Sequence, residues 1–150
     1  MPTGSSRRVP CRPTGRFPAA HRIRKRPEFV RVQTTGQRVA TSHFLLLIYA
    51  ADLASGIRRR ARLGITVSRK VGTAAVRNRA KRLVREAFRA TRALWQDDVD
   101  VVVIVRKPTG TMKLHDVVAE WCRQERPVCR RTEEARIDRE KRESALAQSG

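Results

Sequence analysis

Acids, histidines, cysteines and long apolar runs are all scarce in this sequence, and each shortage closes off a class of function. Only 14 of the 150 residues are Asp or Glu. The nearest grouping is Asp97, Asp98 and Asp100, which at a helix–strand junction read as a solvated turn, not as the carboxylate cluster of a metal-dependent nuclease. His21, His43 and His115 lie far apart and read as surface or packing residues, so no general acid–base set is visible. The cysteines, Cys11, Cys122 and Cys129, are odd in number and include no CxxC pair. That excludes a disulfide framework and a zinc site. The longest apolar run, Phe44 to Ala51, is too short to cross a bilayer. Residues 1–26 hold no continuous apolar block of the kind a signal peptide needs. A small, soluble, cytoplasmic protein is expected.

What the chain has is positive charge. Lys and Arg number 34, the net charge is +20 and the pI is near 11.7. Such a balance calls for a polyanion, with nucleic acid well ahead of a membrane surface. The length suits one domain with tails, and 40% apolar residues suffice for a core. The charge is uneven: +8 over residues 1–26, +11 over 27–126 and +1 over 127–150. The first 21 residues, rich in Pro and Arg, read as a basic arm that is mobile when alone. Residues 22–126 read as the folded unit. Residues 127–150, of mixed charge and with almost no apolar face, read as an appendage, helical or disordered.

Within the folded unit, Pro27 to Val32 suits a short helix ending before Gly36. Arg38 to Ser42 and His43 to Ala51 read as strands, the second nearly all apolar and so well buried. Arg62 to Ser68 alternates, with Leu63, Ile65 and Val67 on one face. A long helix is expected from a Thr73 N-cap to about Leu94. Val99 to Val105 is another strand. A last helix from about Thr111 to Arg123 places Leu114, Val117, Val118 and Trp121 on one stripe. The order is αβββαβα.

The long helix carries two interleaved patterns. Val76, Ala80, Leu83, Val84, Ala87 and Phe88 form an apolar face, while Arg77, Lys81, Arg85, Arg89 and Arg92 stack along another side. Arg79 and Arg82 widen that band, and Arg69 and Lys70 lead into it. Like charges at i, i+4 cost about 0.2–0.5 kcal/mol per pair in an isolated helix. Residues 69–92 hold nine basic groups and one acid, Glu86. A merely solvated face mixes its signs; this row does not, which favours polyanion binding. Asn78, between two arginines, can read a base edge, a 2′-hydroxyl or a metal-bound water, and equally can bond locally in the first helical turns. On these residues alone a ribosomal or ribosome-assembly protein explains the charge equally well, and a DNA-binding regulator fits less well for want of a helix-turn-helix pair.

The stretch Gly64-Ile65-Thr66-Val67-Ser68-Arg69-Lys70-Val71-Gly72, followed by Ala74-Ala75-Val76-Arg77-Asn78-Arg79-Ala80-Lys81-Arg82, Arg85-Glu86 and Phe88-Arg89, resembles the protein subunit of bacterial ribonuclease P. The flanks match too: Arg22, Arg26-Pro27-Glu28-Phe29, Gly36 and Arg38 before it, Asp98 and Arg106-Lys107-Pro108 after it. The resemblance covers roughly residues 16–124. It implies an α+β fold, a two-layer α/β sandwich with a left-handed βαβ crossover, against the usual right-handed rule. It implies as partners a catalytic RNA and precursor tRNA, whose 5′ leader is removed by chemistry done by the RNA with divalent metal. No protein side chain is then catalytic, and Mg2+ is held mainly by RNA, with Asn78 touching it at most through water. By the same resemblance Arg69, Lys70, Arg77, Asn78, Arg79, Lys81, Arg82, Arg85 and Arg89 face the catalytic RNA. The sheet face opposite the long helix takes the leader, with Phe29 as one aromatic of that cleft. Two positions usually aromatic are Gln33 and Leu47 here; Tyr49 and Phe17 are candidate substitutes. No protein partner is evident.

Overall fold

The computed structural model of the protein describes residues 21–51 and 60–149. The elements are α1 (Arg26–Thr35), β1 (Gln37–Ala40), β2 (Phe44–Ala50), β3 (Arg62–Val67), α2 (Ala74–Ala90), β4 (Val99–Val105), α3 (Leu114–Cys122) and α4 (Glu125–Ser149). All of the expected basic arm except its last residue, His21, lies outside the described residues.

The four strands form one mixed sheet in the order β1-β2-β4-β3. β2 is antiparallel to β1 and to β4, with Leu47 opposite both Arg38 and Val102. β3 runs parallel to β4, so the chain between them must cross over, and α2 is that crossover. Strand periodicity then divides the side chains into two cores. Phe44, Leu46, Ile48, Leu63, Val101, Val103 and Val105 face α2 and α3 in the larger one. Leu47, Tyr49 and Val102 face the other way, under α1, with Ile23 and Val32.

Aromatic rings tie the helices over the larger core. Trp121 meets both Phe44 and Trp95 edge-on at 5.8 Å, and Trp95 stacks on Phe88 at 5.5 Å. Thr91 sets where α2 stops. Its hydroxyl donates to Ala87 O at 2.7 Å and accepts from Trp95 Nε1 at 3.0 Å, so the helix ends at Ala90, and Arg92–Leu94 forms a 3-10 turn. The expectation of an unbroken helix to Leu94 is corrected by that side-chain bond.

α1 is pinned by charge. Arg62 donates Nε and Nη2 to the two oxygens of Asp100, both at 2.9 Å, and Nη2 also reaches Glu28 of α1 at 3.1 Å. Asp98 and Asp100 are buried, so the reading of this acidic turn as solvated is also corrected. Phe29 lies on Gly64: a Cβ there would come within 2.6 Å of the ring.

The largest departure is at the C-terminus. Residues from Glu125 form one long helix, not a loose appendage. Val128, Thr132 and Ala135 are buried, and Val128 and Ala135 join the larger core against the β1–β2 side of the sheet. Further along, Arg142 donates to Ala50 O at 2.8 Å and lies 4.5 Å from the centre of the Tyr49 ring. Arg139 donates to Ala51 O at 3.3 Å. The two arginines thus cover the end of β2 with their stems and take its carbonyls with their heads.

Candidate nucleic-acid interface

α2 is held by one face and offers the other. Ala80, Leu83, Val84, Ala87 and Phe88 are buried in the larger core. The start of the helix is built locally. Ser68 Oγ accepts from Lys70 N at 3.1 Å, turning the chain through Arg69–Val71. Gly72 then adopts φ +156°, which side-chain-bearing residues rarely take, and Thr73 caps the helix by accepting from Val76 N at 3.3 Å. This carries Arg69 and Lys70, both exposed, directly into the helical band.

Along the outer side, Asn78 and Arg82 are exposed, and Arg77, Lys81, Arg85 and Arg89 are half-buried. Asn78 is past the capping turn, and among the described residues its amide makes no hydrogen bond, so its open alternative, local bonding, is not what the structure shows. The buried Nε of Arg77 has no hydrogen-bond partner among the described residues. Burial, then the charges of Arg22 and Arg82, pushes the Arg85 guanidinium below its ordinary range.

Arg79 differs from its neighbours. Its Nη1 donates to Thr109 O at 3.1 Å and its Nη2 to Met112 O at 2.9 Å, tying α2 to the loop between β4 and α3. Part of its donor set therefore serves the fold. That loop carries Arg106 and Lys107, both exposed.

The expected leader residues separate by depth. Phe29 and Gln33 are half-buried, one turn apart on α1. Leu47 and Tyr49 lie beneath α1, at 1% and 5% exposure, and Arg142 covers the Tyr49 ring. Neither presents a face for a base to stack on; they form the floor behind α1. Phe17 lies outside the described residues. The part of this sheet face that stays open is lined by Leu45, Ile104 and Thr66, which sequence reasoning missed. Strand alternation would have found them, since 45 shares the face of 47 and 49.

Among the described residues, no three His, Cys, Asp or Glu come together as an inner-sphere set for a divalent cation. The Asn78 amide can still hold a metal-bound water. No described helix is long and apolar enough to cross a membrane.

Comparison with known proteins gives one answer. The sequence model of the family described as Ribonuclease P matches residues 17–124. The chain is 39% identical over 101 residues to the Ribonuclease P protein component of Syntrophus aciditrophicus, covering 67% of this chain and 81% of that protein. It is 42% identical over 98 residues to that of Desulfovibrio desulfuricans, covering 65% and 73%. The RNase P protein from Thermotoga maritima superposes with a TM-score of 0.59 at 30% identity, over 71% of this chain and 96% of that one. The Staphylococcus aureus RNase P protein gives 0.57 at 31% identity, over 69% and 91%. The matched span ends at residue 124, so α4 lies wholly beyond it. With the family model covering most of the chain and these relatives agreeing in sequence and in fold, the chain belongs to the bacterial ribonuclease P protein component family.

Proposed function

We propose that this chain binds the catalytic RNA of ribonuclease P through the outer side of α2 and promotes removal of the 5′ leader from precursor tRNA. The observation that carries this reading is the division of α2: one face in the core, the other a basic band with a single acid, Glu86, and with Asn78 exposed within it. Such a band binds a phosphate backbone through charge-assisted hydrogen bonds, and it does so without reading sequence.

The chemistry falls to the RNA. Mg2+ held by that RNA would supply an activated water and would neutralise developing charge. The protein's residues act on position and electrostatics. Arg77, Lys81, Arg82, Arg85 and Arg89 reduce repulsion between RNA segments. Arg69 and Lys70 extend the band around the helix start. Asn78 orients a water or a 2′-hydroxyl beside it. On the other side of the sheet, the strip formed by Phe29, Gln33, Leu45, Thr66 and Ile104 accepts the single-stranded leader. With one aromatic there, stacking contributes about 1–3 kcal/mol for one base, and the remaining contacts are apolar or polar edges.

The test is multiple-turnover cleavage of a precursor tRNA at low magnesium, by a bacterial ribonuclease P RNA with and without this protein, beside a protein-only control. RNA-dependent cleavage at the mature 5′ end, strongly raised by the protein, is the expected result. Cleavage by the protein alone would overturn the assignment of the chemistry to RNA. Binding without any effect on the reaction would leave only an RNA-binding module.

A further inference from the structure

At one end of the sheet β2 starts, at Phe44, while β4 and β3 stop, at Val105 and Val67. Arg106 N donates to His43 O at 2.9 Å, which joins the β1–β2 turn to the chain leaving β4. Leu45 pairs with Ile104, and Ile104 with Thr66, so these three form the last row of the open strip before that end. A leader lying along the row runs beside the turn that carries His43, with the exposed Arg106 and Lys107 next to it.

His43 is held there by a buried partner. Its Nδ1 lies 2.8 Å from Glu120 Oε1, while Glu120 Oε2 accepts from Thr41 Oγ1 at 2.5 Å and from His43 N at 2.8 Å. Burial pushes the Glu120 carboxyl up, but the bonds from Thr41 and His43 outweigh it and hold the group below 4.5. A carboxylate only accepts, so the ring carries its proton on Nδ1, and in the neutral imidazole Nε2 is left as a bare acceptor. Among the described residues Nε2 has no hydrogen-bond partner, and 33% of the side chain is exposed. A side-chain amide would serve the bond to Glu120 equally well. The second ring nitrogen does nothing for the fold.

We propose that His43 Nε2 accepts a hydrogen bond from a ribose 2′-hydroxyl of the precursor-tRNA leader, and that Glu120 is the positioning residue that fixes the ring and its tautomer for this contact. The inference rests on the reading of the chain as the leader-binding subunit. The choice of group follows from donor and acceptor chemistry. Phosphate oxygens only accept and cannot meet a bare imidazole nitrogen; the 2′-hydroxyl donates, and every ribonucleotide carries one. Basic side chains hold a phosphate backbone whether the strand is RNA or DNA. A contact to the 2′-hydroxyl exists only with ribose, so His43 adds a preference for an RNA leader that charge alone does not give. Glu120, 6% exposed, acts on the leader only through His43.

The experiment sets two precursor tRNAs in competition for one holoenzyme, made from the full-length protein and a bacterial ribonuclease P RNA, at pH 8 and fixed salt. One substrate has an all-RNA leader and the other a 2′-deoxy leader, with the nucleotide at the cleaved bond left as ribose in both. The readout is the ratio of kcat/KM for wild type, H43N and E120Q. Asn puts an amide nitrogen where Nδ1 stood, keeps the bond to Glu120 and removes Nε2. In E120Q the amide oxygen takes Thr41 Oγ1 and His43 N, so its NH2 faces Nδ1 and moves the ring proton to Nε2, turning the acceptor into a donor. Wild type is expected to favour the RNA leader, and each variant to lose about fivefold of that preference, the size of one hydrogen bond. H43N should melt close to wild type. No preference in wild type, or an undiminished preference in either variant, would overturn the contact while the subunit reading stands. Absence of protein-stimulated cleavage of both substrates would bring down the subunit reading and the contact with it.

Discussion

Glu120 belongs to α3, yet both of its oxygens are used on the turn between β1 and β2. Oε2 accepts from Thr41 Oγ1 at 2.5 Å and from His43 N at 2.8 Å, and Oε1 lies 2.8 Å from His43 Nδ1. Burial pushes the carboxyl up, but these hydrogen bonds together outweigh it and hold the group below 4.5. A carboxylate depressed in the folded state contributes stability above its unfolded value, and that stability is lost as pH falls through the folded one. Glu120→Gln is therefore expected to cost about 1–3 kcal/mol at pH 7, read by urea denaturation, with the difference from wild type shrinking as pH falls below the ordinary carboxylate range. At Arg79 a similar logic applies. Arg79→Ala removes the guanidinium donor from Met112 O and one of the two donors to Thr109 O, which keeps Met112 N, and is expected to lower stability by about 1–3 kcal/mol. Asn78→Ala, which breaks no bond in the fold, should stay within about 0.5 kcal/mol. Thermal unfolding of the two variants side by side separates a residue that serves the fold from one held out to a ligand.

α2 and α4 are both charged helices, and the core holds them in different ways. α2 is fixed by five buried side chains at helical spacing; α4 by Val128, Thr132 and Ala135 and then by the stems of Arg139 and Arg142. Deleting residues from Glu125 onward would uncover the β1–β2 side of the larger core, whose Val128 contacts are worth about 1.5–3 kcal/mol. The expected result is a lower melting temperature with faster amide exchange in β1 and β2, while β3 and α2 are affected least. This contrast also explains what could be read from the residues in advance. The α2 band was legible because its steps of four and three are filled by a single charge type. The α4 stripe follows the same spacing at 128, 132, 135, 139 and 142, but a threonine and two arginines occupy most of it, so no apolar period stands out. Leu47 and Tyr49 were placed on the correct strand face; that α1 would cover them depends on the Arg62 bridge to Glu28 and Asp100, a contact between distant parts of the chain.

Across the whole molecule the two sheet faces serve opposite requirements. The α2 side carries most of the folding energy beneath a highly charged exterior, and the α1 side keeps a half-apolar strip open. Binding to RNA should accordingly be strongly salt-dependent. Replacing Arg77 and Lys81 together with alanine is expected to weaken binding across RNA sequences and to flatten the dependence of log affinity on log salt by about one to two. Filter binding at several salt concentrations checks this, and an unchanged slope would remove α2 from the interface.

The contact between Arg142 and Ala50 joins residues 92 positions apart. Translation proceeds from the N-terminus, so β2, among the most apolar strands of the protein, leaves the ribosome long before the helix that covers its end. During that interval the growing chain already displays α2 with its basic band, in a compartment crowded with RNA. A nascent molecule can thus meet polyanions before its sheet is sealed, because α4 closes over the end of β2 through one of the longest-range contacts in the fold.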